Sequence, residues 1–164
     1  MCSVMKEVGR DEVLADREFG PGLRTGPLLG GIAVGIVLSF EDPPRAGQPR
    51  CDKFLAHLME GHMKETFEYL QEQVEEAKRK HRVKKTEVWL CYRDVSSLRD
   101  DKEMIWNSQM IYAEYELVEN FIEMTKGLSS YVQLHAHHVL REQDMCITKD
   151  GRIRIRKLEK DADQ

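Results

Sequence analysis

Residues 63 to 77 read Met-Lys-Glu-Thr-Phe-Glu-Tyr-Leu-Gln-Glu-Gln-Val-Glu-Glu-Ala, and this stretch decides the fold predicted from the sequence. Its apolar residues recur in steps of four, three, four and three, which is the spacing of a coiled-coil seam. The opposite positions are charged, as is typical of an amphipathic helix that packs against another helix. We therefore predict that a helical protein partner, or a second copy of the chain, binds the seam residues Met63, Phe67, Leu70, Val74 and Ala77.

The distribution of helix-breaking residues extends this prediction along the chain. All prolines precede residue 50, and no glycine or proline occurs between Gly61 and Gly127. Proline removes a backbone donor and glycine costs about 1 kcal/mol inside a helix, so a long stretch without either favours helix. The first helix is predicted to begin at Asp52, which is a suitable N-cap residue. Residues 86–95 are predicted as helix, with a buried strand as the alternative.

Two further helices are predicted downstream. Ser97 and Asp100 have capping-box spacing, and the helix that follows them to Lys126 carries a wide apolar stripe, which makes it the hub of the fold. A third, shorter helix is predicted from Ser130 to Gln143. The expected fold class is therefore mainly α, with two long helices and one shorter helix in a hairpin or bundle that is partly coiled-coil-like.

The C-terminal segment changes to β patterning. Residues 145–156 read Met-Cys-Ile-Thr-Lys-Asp-Gly-Arg-Ile-Arg-Ile-Arg, which is a β-hairpin signal. A three-residue loop with Gly151 in the left-handed conformation gives the hairpin one apolar face and one basic face. The apolar pairs that face each other in this register are Met145 with Ile155 and Ile147 with Ile153.

The chain is accordingly divided into four parts. Residues 1–50 are predicted to be a flexible, disordered arm rich in glycine and proline, 51–143 the helical bundle, 144–158 the basic β-hairpin and 159–164 a frayed tail. The apolar run at residues 27–40 is shorter than the ~20 residues of a membrane span. A long mixed-charge segment precedes it, where a signal peptide would have a short basic head, so no cleaved signal or membrane anchor is expected.

The composition narrows the classes of function. The 164 residues are 41% hydrophobic and 33% charged, which suits helices with solvated faces better than a compact enzyme. The net charge of -4 means that any affinity for nucleic acid must come from local patches. Cys2, Cys51, Cys91 and Cys146 are scattered without a CxxC pair, so we predict reduced thiols, with a disulfide framework or zinc site as the alternative. The expected location is the cytoplasm, with the nucleus as a second possibility.

Two basic segments are candidate binding surfaces. The first is interpreted as a solvated helix end, where cations suit the helix dipole, with a nuclear import signal or a phosphate-binding patch as alternatives. Its residues are Lys78, Arg79, Lys80, Arg82, Lys84 and Lys85. The second is the row Arg152, Arg154 and Arg156, whose period of two places all three on one strand face. Such a row is typical of an edge strand that its charge protects from aggregation. The alternative is that the row binds an acidic partner or nucleic acid, and on this alternative the three arginines are candidate partner-binding residues.

No catalytic, cofactor-binding or metal site is predicted. His135, His137 and His138 are not joined by a thiolate or carboxylate at metal-ligand spacing. The sequence contains no nucleophile elbow, Walker loop or dinucleotide-binding glycine motif. Aromatic residues such as Trp89 are interpreted as core, with interface anchors as the alternative.

These observations together predict a non-enzymatic protein–protein interaction module. The chain would be a subunit or adaptor of a multiprotein complex that binds through helix–helix packing, with neither a cofactor nor a membrane. The alternative is a nucleic-acid-associated factor that uses the basic run 78–85 and the arginine row 152–156.

Overall fold

The structure is a computed structural model that describes most of the chain. The described residues are 4–28, 31–59, 61–94, 119–120, 122–123, 125–127, 132–138 and 143–158, without the side chains of residues 93, 94, 137 and 138. In chain order the elements are β1 (Lys6–Val8), β2 (Glu12–Arg17), β3 (Leu23–Thr25), β4 (Ile32–Phe40), β5 (Cys51–Leu58), α1 (Met63–Lys80), β6 (Val83–Asp94), β7 (Val132–His138), β8 (Gln143–Ile147) and β9 (Ile153–Lys157).

The strands form two mixed sheets. The large sheet has the order β2-β5-β4-β6-β7, and the small sheet has the order β1-β3-β8-β9. Strands β5 and β6 both pair antiparallel with β4, so they run parallel to each other, and α1 is the crossover that connects them. No helix among the described residues is both long and apolar enough to cross a membrane.

Apolar side chains cover both faces of the large sheet. One face packs against α1 through a cluster that includes Val34, Ile36, Phe54, Phe67, Leu70, Val74, Val88 and Leu90. The other face packs against the small sheet through Ala33, Val37, Leu55, Cys91, Met145, Ile147 and Ile153. The fold is therefore a three-layer arrangement of helix, large sheet and small sheet.

Gly35 allows the two sheets to approach closely. It lies in the centre of β4, and a Cβ added to it would be 2.9 Å from the Sδ atom of Met145. Real Cβ atoms do not tolerate such a contact, so the lack of a side chain at this position lets Met145 seat against the large sheet.

The prediction of a mainly α fold, with a helical bundle and coiled-coil packing, is wrong. The segment from Asp52 that was expected to start the first helix belongs to β5, and α1 begins only at Met63. In β5, Phe54 faces α1 and Leu55 faces the small sheet. A strand buried on both faces is a nearly continuous apolar run, which periodicity alone does not distinguish from a buried helix.

Two further predictions of helix are also wrong, the first for the same reason and the second although β7 alternates apolar and polar residues. Residues 86–94, where helix was favoured over strand, belong to β6. The third helix expected over 130–143 is replaced by β7, which pairs in parallel with β6 from Val132 opposite Val88 onward. The second long helix expected over 97–126 lies mostly outside the described residues, although those described between 119 and 126 are helical.

The N-terminal arm is also not disordered where the structure describes it. Strands β1 to β4 all lie before residue 41 and contribute to both sheets. The prolines lie in the connections between strands, so they mark turns and not an unfolded segment. Their positions are Pro21, Pro27, Pro43, Pro44 and Pro49.

The predicted C-terminal hairpin and its register are confirmed. Strands β8 and β9 pair antiparallel, and Gly151 has a φ of 77° in the left-handed region. Met145 lies opposite Ile155, and Ile147 lies opposite Ile153. The local turn chemistry was sufficient here because the loop type and the apolar face determine the same register.

We expect Phe67→Ala to destabilise the protein strongly. The Phe67 side chain is fully buried between α1 and the large sheet, and truncating a buried phenylalanine costs about 3–5 kcal/mol. The free energy of unfolding from urea denaturation measures this loss. The matched control Glu68→Ala changes an exposed neighbour on the same helix and should stay within about 0.5 kcal/mol of the parent. Equal stability of the two variants would contradict the described packing of α1.

Candidate functional site

An open cleft lies between α1 and the β2–β5 edge of the large sheet. Its volume is about 430 Å³, within the ~300–1,000 Å³ typical of ligand pockets. The floor is formed by Ala15, Cys51 and Phe54, and the helix wall by Tyr69, Glu72, Gln73, Glu76, Ala77 and Lys80. Pro49, Arg50 and His81 also line it. The site thus combines an apolar floor with polar walls.

Helix α1 forms the wall of the cleft because two adjacent stripes of its surface pack against different surroundings. The seam residues from Met63 to Val74 are buried against the large sheet. The residues from Tyr69 to Lys80 that line the cleft are spaced by three and four positions, so they form a second stripe beside the seam. One helix therefore closes the core with one stripe and borders the cleft with the next.

Arg50 holds the end of the cleft in place. Its guanidinium pairs with Glu18, donates a hydrogen bond to the Asp42 carbonyl and lies 4.2 Å from the centroid of the Phe40 ring. His81 meets the same ring edge-on, with 5.5 Å between the ring centroids. Because Arg50 is buried and already has these partners, it organises the wall and does not offer a free charge to a ligand.

Gln73 provides an unsatisfied hydrogen-bond acceptor in the cleft wall. Its Oε1 atom is buried and has no hydrogen-bond partner among the described residues. An unpaired buried acceptor costs roughly 1–3 kcal/mol, and because Oε1 has almost no accessible surface, a donor in the cleft would reach it only after the Gln73 amide rotates. The nearby Tyr69 side chain is 53% exposed, which is unusual for a large aromatic residue.

The thiol of Cys51 is not an activated nucleophile. Partial burial is the largest cause that raises its pKa, and the carboxylates of Asp16 and Asp52 raise it further. A raised pKa keeps the sulfur protonated at neutral pH, whereas catalytic cysteines require a lowered pKa. In the part of the chain that the structure describes, no group of His, Cys, Asp and Glu side chains could hold a metal ion.

Buried ions anchor the strands that form the floor. Lys53 is fully buried, and its Nζ atom donates at 2.9 Å to both the Arg17 carbonyl and Asp52 Oδ1. Desolvation raises the pKa of the Asp52 carboxyl, while the hydrogen bond and charge of Lys53 oppose that shift. Asp16, also buried, accepts a 2.8 Å hydrogen bond from the Gly22 amide. The Lys53 contact with Arg17 connects the end of β2 with the start of β5, and the Asp16 contact connects β2 with the segment that leads to β3.

The structure places the seam and the arginine row, the two sets of predicted partner-binding residues, in different parts of the molecule. Met63, Phe67, Leu70 and Val74 are buried in the core of the chain itself, and Ala77 is partly buried against the same core. A sheet and a partner helix both require an apolar stripe at this spacing, so the large sheet accounts for the seam.

The arginine row lies on the solvent side of the small sheet. Arg152 and Arg154 are exposed. Arg156 forms a bidentate pair with Asp144, with distances of 2.9 and 2.6 Å, and that hydrogen bond raises the pKa of the arginine. Its acidic partner is therefore Asp144 of the adjacent strand β8, within the chain itself.

The basic patch lies where α1 ends and β6 begins. Arg79, Lys80, Arg82, Lys84 and Lys85 are exposed, and Lys78 is partly buried. The Lys80 ammonium binds Glu76 at 2.9 Å and lowers the pKa of that carboxyl. Lys80 thus borders the cleft as part of an ion pair, while Arg79, Arg82, Lys84 and Lys85 face solvent.

His135 has a packing role in strand β7. Its ring stacks on the indole of Trp89, with 4.5 Å between the ring centroids. The side chains of His137 and His138 lie outside the described residues. The sequence did not indicate the cleft residues Ala15, Cys51, Phe54 or Gln73. Ala77 and Lys80 line the cleft and were predicted as a seam residue and a basic-run residue, but not as parts of one site. The stripe that begins at Tyr69 was a further signal, since most of it lies beside the seam.

We expect alkylation of the native protein to be slow and selective. In a Cys2→Ser variant at about pH 8, iodoacetamide should modify Cys51 more slowly than a free thiol because burial and carboxylates raise its pKa. Cys91 should remain unmodified, since burial raises its pKa to about 12. Peptide mass spectrometry over time measures both rates, and labelling in urea provides the control. Faster labelling of Cys51 than of free cysteine would contradict the raised pKa of this thiol and would support a nucleophilic role for it.

The sequence matches no protein-family model, and no curated protein is significantly similar to it. The function is therefore inferred from the geometry of the chain itself.

Proposed function

We propose that this chain is a non-enzymatic protein-interaction module that binds an extended peptide segment of a partner protein in the cleft beside α1. The observation that carries the proposal is an open cleft next to an edge strand, with the buried Oε1 atom of Gln73 unpaired in its wall. The cleft offers a ligand a complementary shape, and rotation of the Gln73 amide would offer it an acceptor. The chain would then act as a subunit or adaptor that recognises its partner through that segment.

Strand β2 supports a peptide as the ligand. It is the outermost strand of the large sheet, and no described strand pairs with its outer edge. An exposed strand edge presents alternating N–H and C=O groups, and peptides bind such edges by adding a strand. Because Ala15 of β2 lines the cleft floor, a peptide added along β2 would direct alternate side chains toward the floor.

The lining of the cleft suggests what such a peptide contains. Ala15, Phe54 and Ala77 offer small apolar contacts, which suits a peptide with small or medium apolar side chains. Gln73 requires a donor, which the backbone N–H of an extended peptide supplies. The exposed ring of Tyr69 adds an aromatic contact of the kind that often dominates binding energy at interfaces.

The chemistry of the cleft supports a binding role over a catalytic one. Cys51 is held as a thiol, and Arg50 is occupied by Glu18 and Phe40. We also propose a reducing compartment, the cytoplasm or the nucleus, because Cys51, Cys91 and Cys146 form no disulfide with one another.

Selection from a display library of random peptides tests this proposal. We expect enriched peptides that bind the parent protein and lose about ten-fold or more in affinity to an Ala15→Trp variant, because the indole fills the cleft floor. Gln73→Leu should weaken binding by a smaller factor, since it removes one acceptor. Isothermal titration calorimetry measures each affinity.

Glu75→Ala is the matched control, because Glu75 is an exposed residue of α1 that does not line the cleft. It should bind peptide like the parent. Unchanged affinity of a folded Ala15→Trp variant, verified by circular dichroism and thermal melting, would exclude the cleft as the binding site.

A further inference from the structure

We propose that one end of the molecule, separate from the cleft floor, binds the backbone of a single-stranded nucleic acid. This surface, here named the basic end, consists of Arg79, Arg82, Lys84, Lys85, Lys149 and Arg152. It joins two segments that are far apart in sequence. The inference does not depend on peptide binding in the cleft.

The fold brings the two segments to the same end. A Cβ placed on Gly151, in the turn of the β8–β9 hairpin, would be 3.4 Å from Val37 of β4. Two residues farther along β4, Ser39 lies opposite Lys85 of β6. The hairpin turn and the start of β6 are therefore both anchored on the last residues of β4.

Lys85 also points toward the layer that contains the hairpin. Side chains alternate along a strand, and Trp89 and Cys91 of β6 pack toward the small sheet. The register from Lys85 to Cys91 is regular, so Lys85 lies on that same side. It thus faces the region of Lys149 and Arg152, which flank the hairpin turn.

The cations of the basic end are exposed and free of ion pairs with described residues. All six are exposed. Some other basic residues are engaged internally: Lys53 with Asp52, Lys80 with Glu76, and Arg156 with Asp144. Further exposed cations, such as Arg10, Lys64 and Lys157, lie elsewhere on the chain, so the basic end is distinguished by the six exposed cations that it brings together.

Several nearby acids are already engaged. Glu18 pairs with Arg50, and Glu87 accepts a 2.7 Å hydrogen bond from the indole of Trp89. Glu41, Asp42 and Asp150 are exposed near the cations, but the surface keeps an excess of positive charge. The whole chain has a net charge of -4, but the basic end forms a local region of positive potential. Such a region attracts a phosphate backbone.

Phe19 favours a single strand as the occupant. Its side chain is 71% exposed, and its φ of 65° is in the left-handed region that bulky residues avoid. The turn that holds it leads to Gly22, where an added Cβ would be 3.3 Å from the Lys149 amide nitrogen. Phe19 therefore lies at the same end of the molecule as the cations, and exposed rings combined with cations are the features on which unpaired bases stack in proteins that bind single strands.

Fluorescence anisotropy with the full chain and a labelled, mixed-sequence single-stranded RNA of about 20 nucleotides tests this inference. We expect saturable binding that weakens as salt rises. The double variant Lys85→Glu/Arg152→Glu, with one change in each segment, should lower affinity about ten-fold or more. It should also reduce the slope of log K against log salt by about 0.7 for each phosphate that the variant no longer neutralises. Phe19→Ala should lower affinity about five-fold or more while leaving the salt slope unchanged, because stacking is not ionic.

The matched control is Arg10→Glu/Lys64→Glu, which makes the same change in net charge. Arg10 and Lys64 are exposed and lie at the opposite end, in the β1–β2 turn and at the start of α1. This control should retain affinity within about two-fold.

Three results would overturn the inference. They are no saturable RNA binding, equal reductions of affinity in the test and control double variants, and displacement of the RNA by a poly-glutamate peptide at equal charge concentration. The last result would indicate an acidic protein segment as the occupant. Peptide binding in the cleft, measured on the same variants, should be unchanged, so failure here leaves the proposed function standing.

Discussion

The large sheet is apolar on both faces, and the rest of the structure depends on this constraint. Along β4, Val34 and Ile36 face α1 while Ala33 and Val37 face the small sheet. A sheet of this kind is stable only when a layer covers each face, because exposed apolar area costs about 25 cal/mol per Å². Helix α1 and the small sheet are those layers. The close seating of Met145 on Gly35 shows how tightly the second layer packs.

The crossover helix explains where the functional surfaces arise. Since α1 connects β5 to the parallel strand β6, it spans the length of the sheet and returns the chain to the end where β6 starts. Its last turns border the cleft with residues such as Gln73, and its C-terminus delivers Arg79 to the basic end. The path of α1 between β5 and β6 therefore contributes residues to both the cleft and the basic end. They differ in chemistry because the cleft has an apolar, partly buried floor, whereas the residues of the basic end are charged and exposed.

Ion pairs near the end of β2 stabilise this geometry at a cost. A buried ammonium such as that of Lys53 loses its hydration, and only close partners compensate that loss. The carbonyl of Arg17 and the carboxylate of Asp52 provide those partners. The raised pKa of Asp52 shows that its own desolvation is only partly offset by Lys53.

Local sequence was sufficient where neighbouring residues determine the structure. The hairpin register followed from the left-handed Gly151 and the alternation of Ile153 and Ile155, and the helical character of 63–77 followed from its seam. Local sequence failed for β5 and β6, because strands covered on both faces lose the alternation that identifies a strand. It failed for β7 for another reason: Val132, Leu134 and Ala136 do alternate with polar residues, but the capping-box spacing upstream favoured a helix. The occupant of the seam was likewise undetermined, since a sheet and a helix require the same stripe. Only the tertiary structure decided that the large sheet fills it, and only strand pairing brought Lys85 and Arg152 to one end. Both outcomes depend on contacts between residues far apart in sequence, which no local pattern encodes.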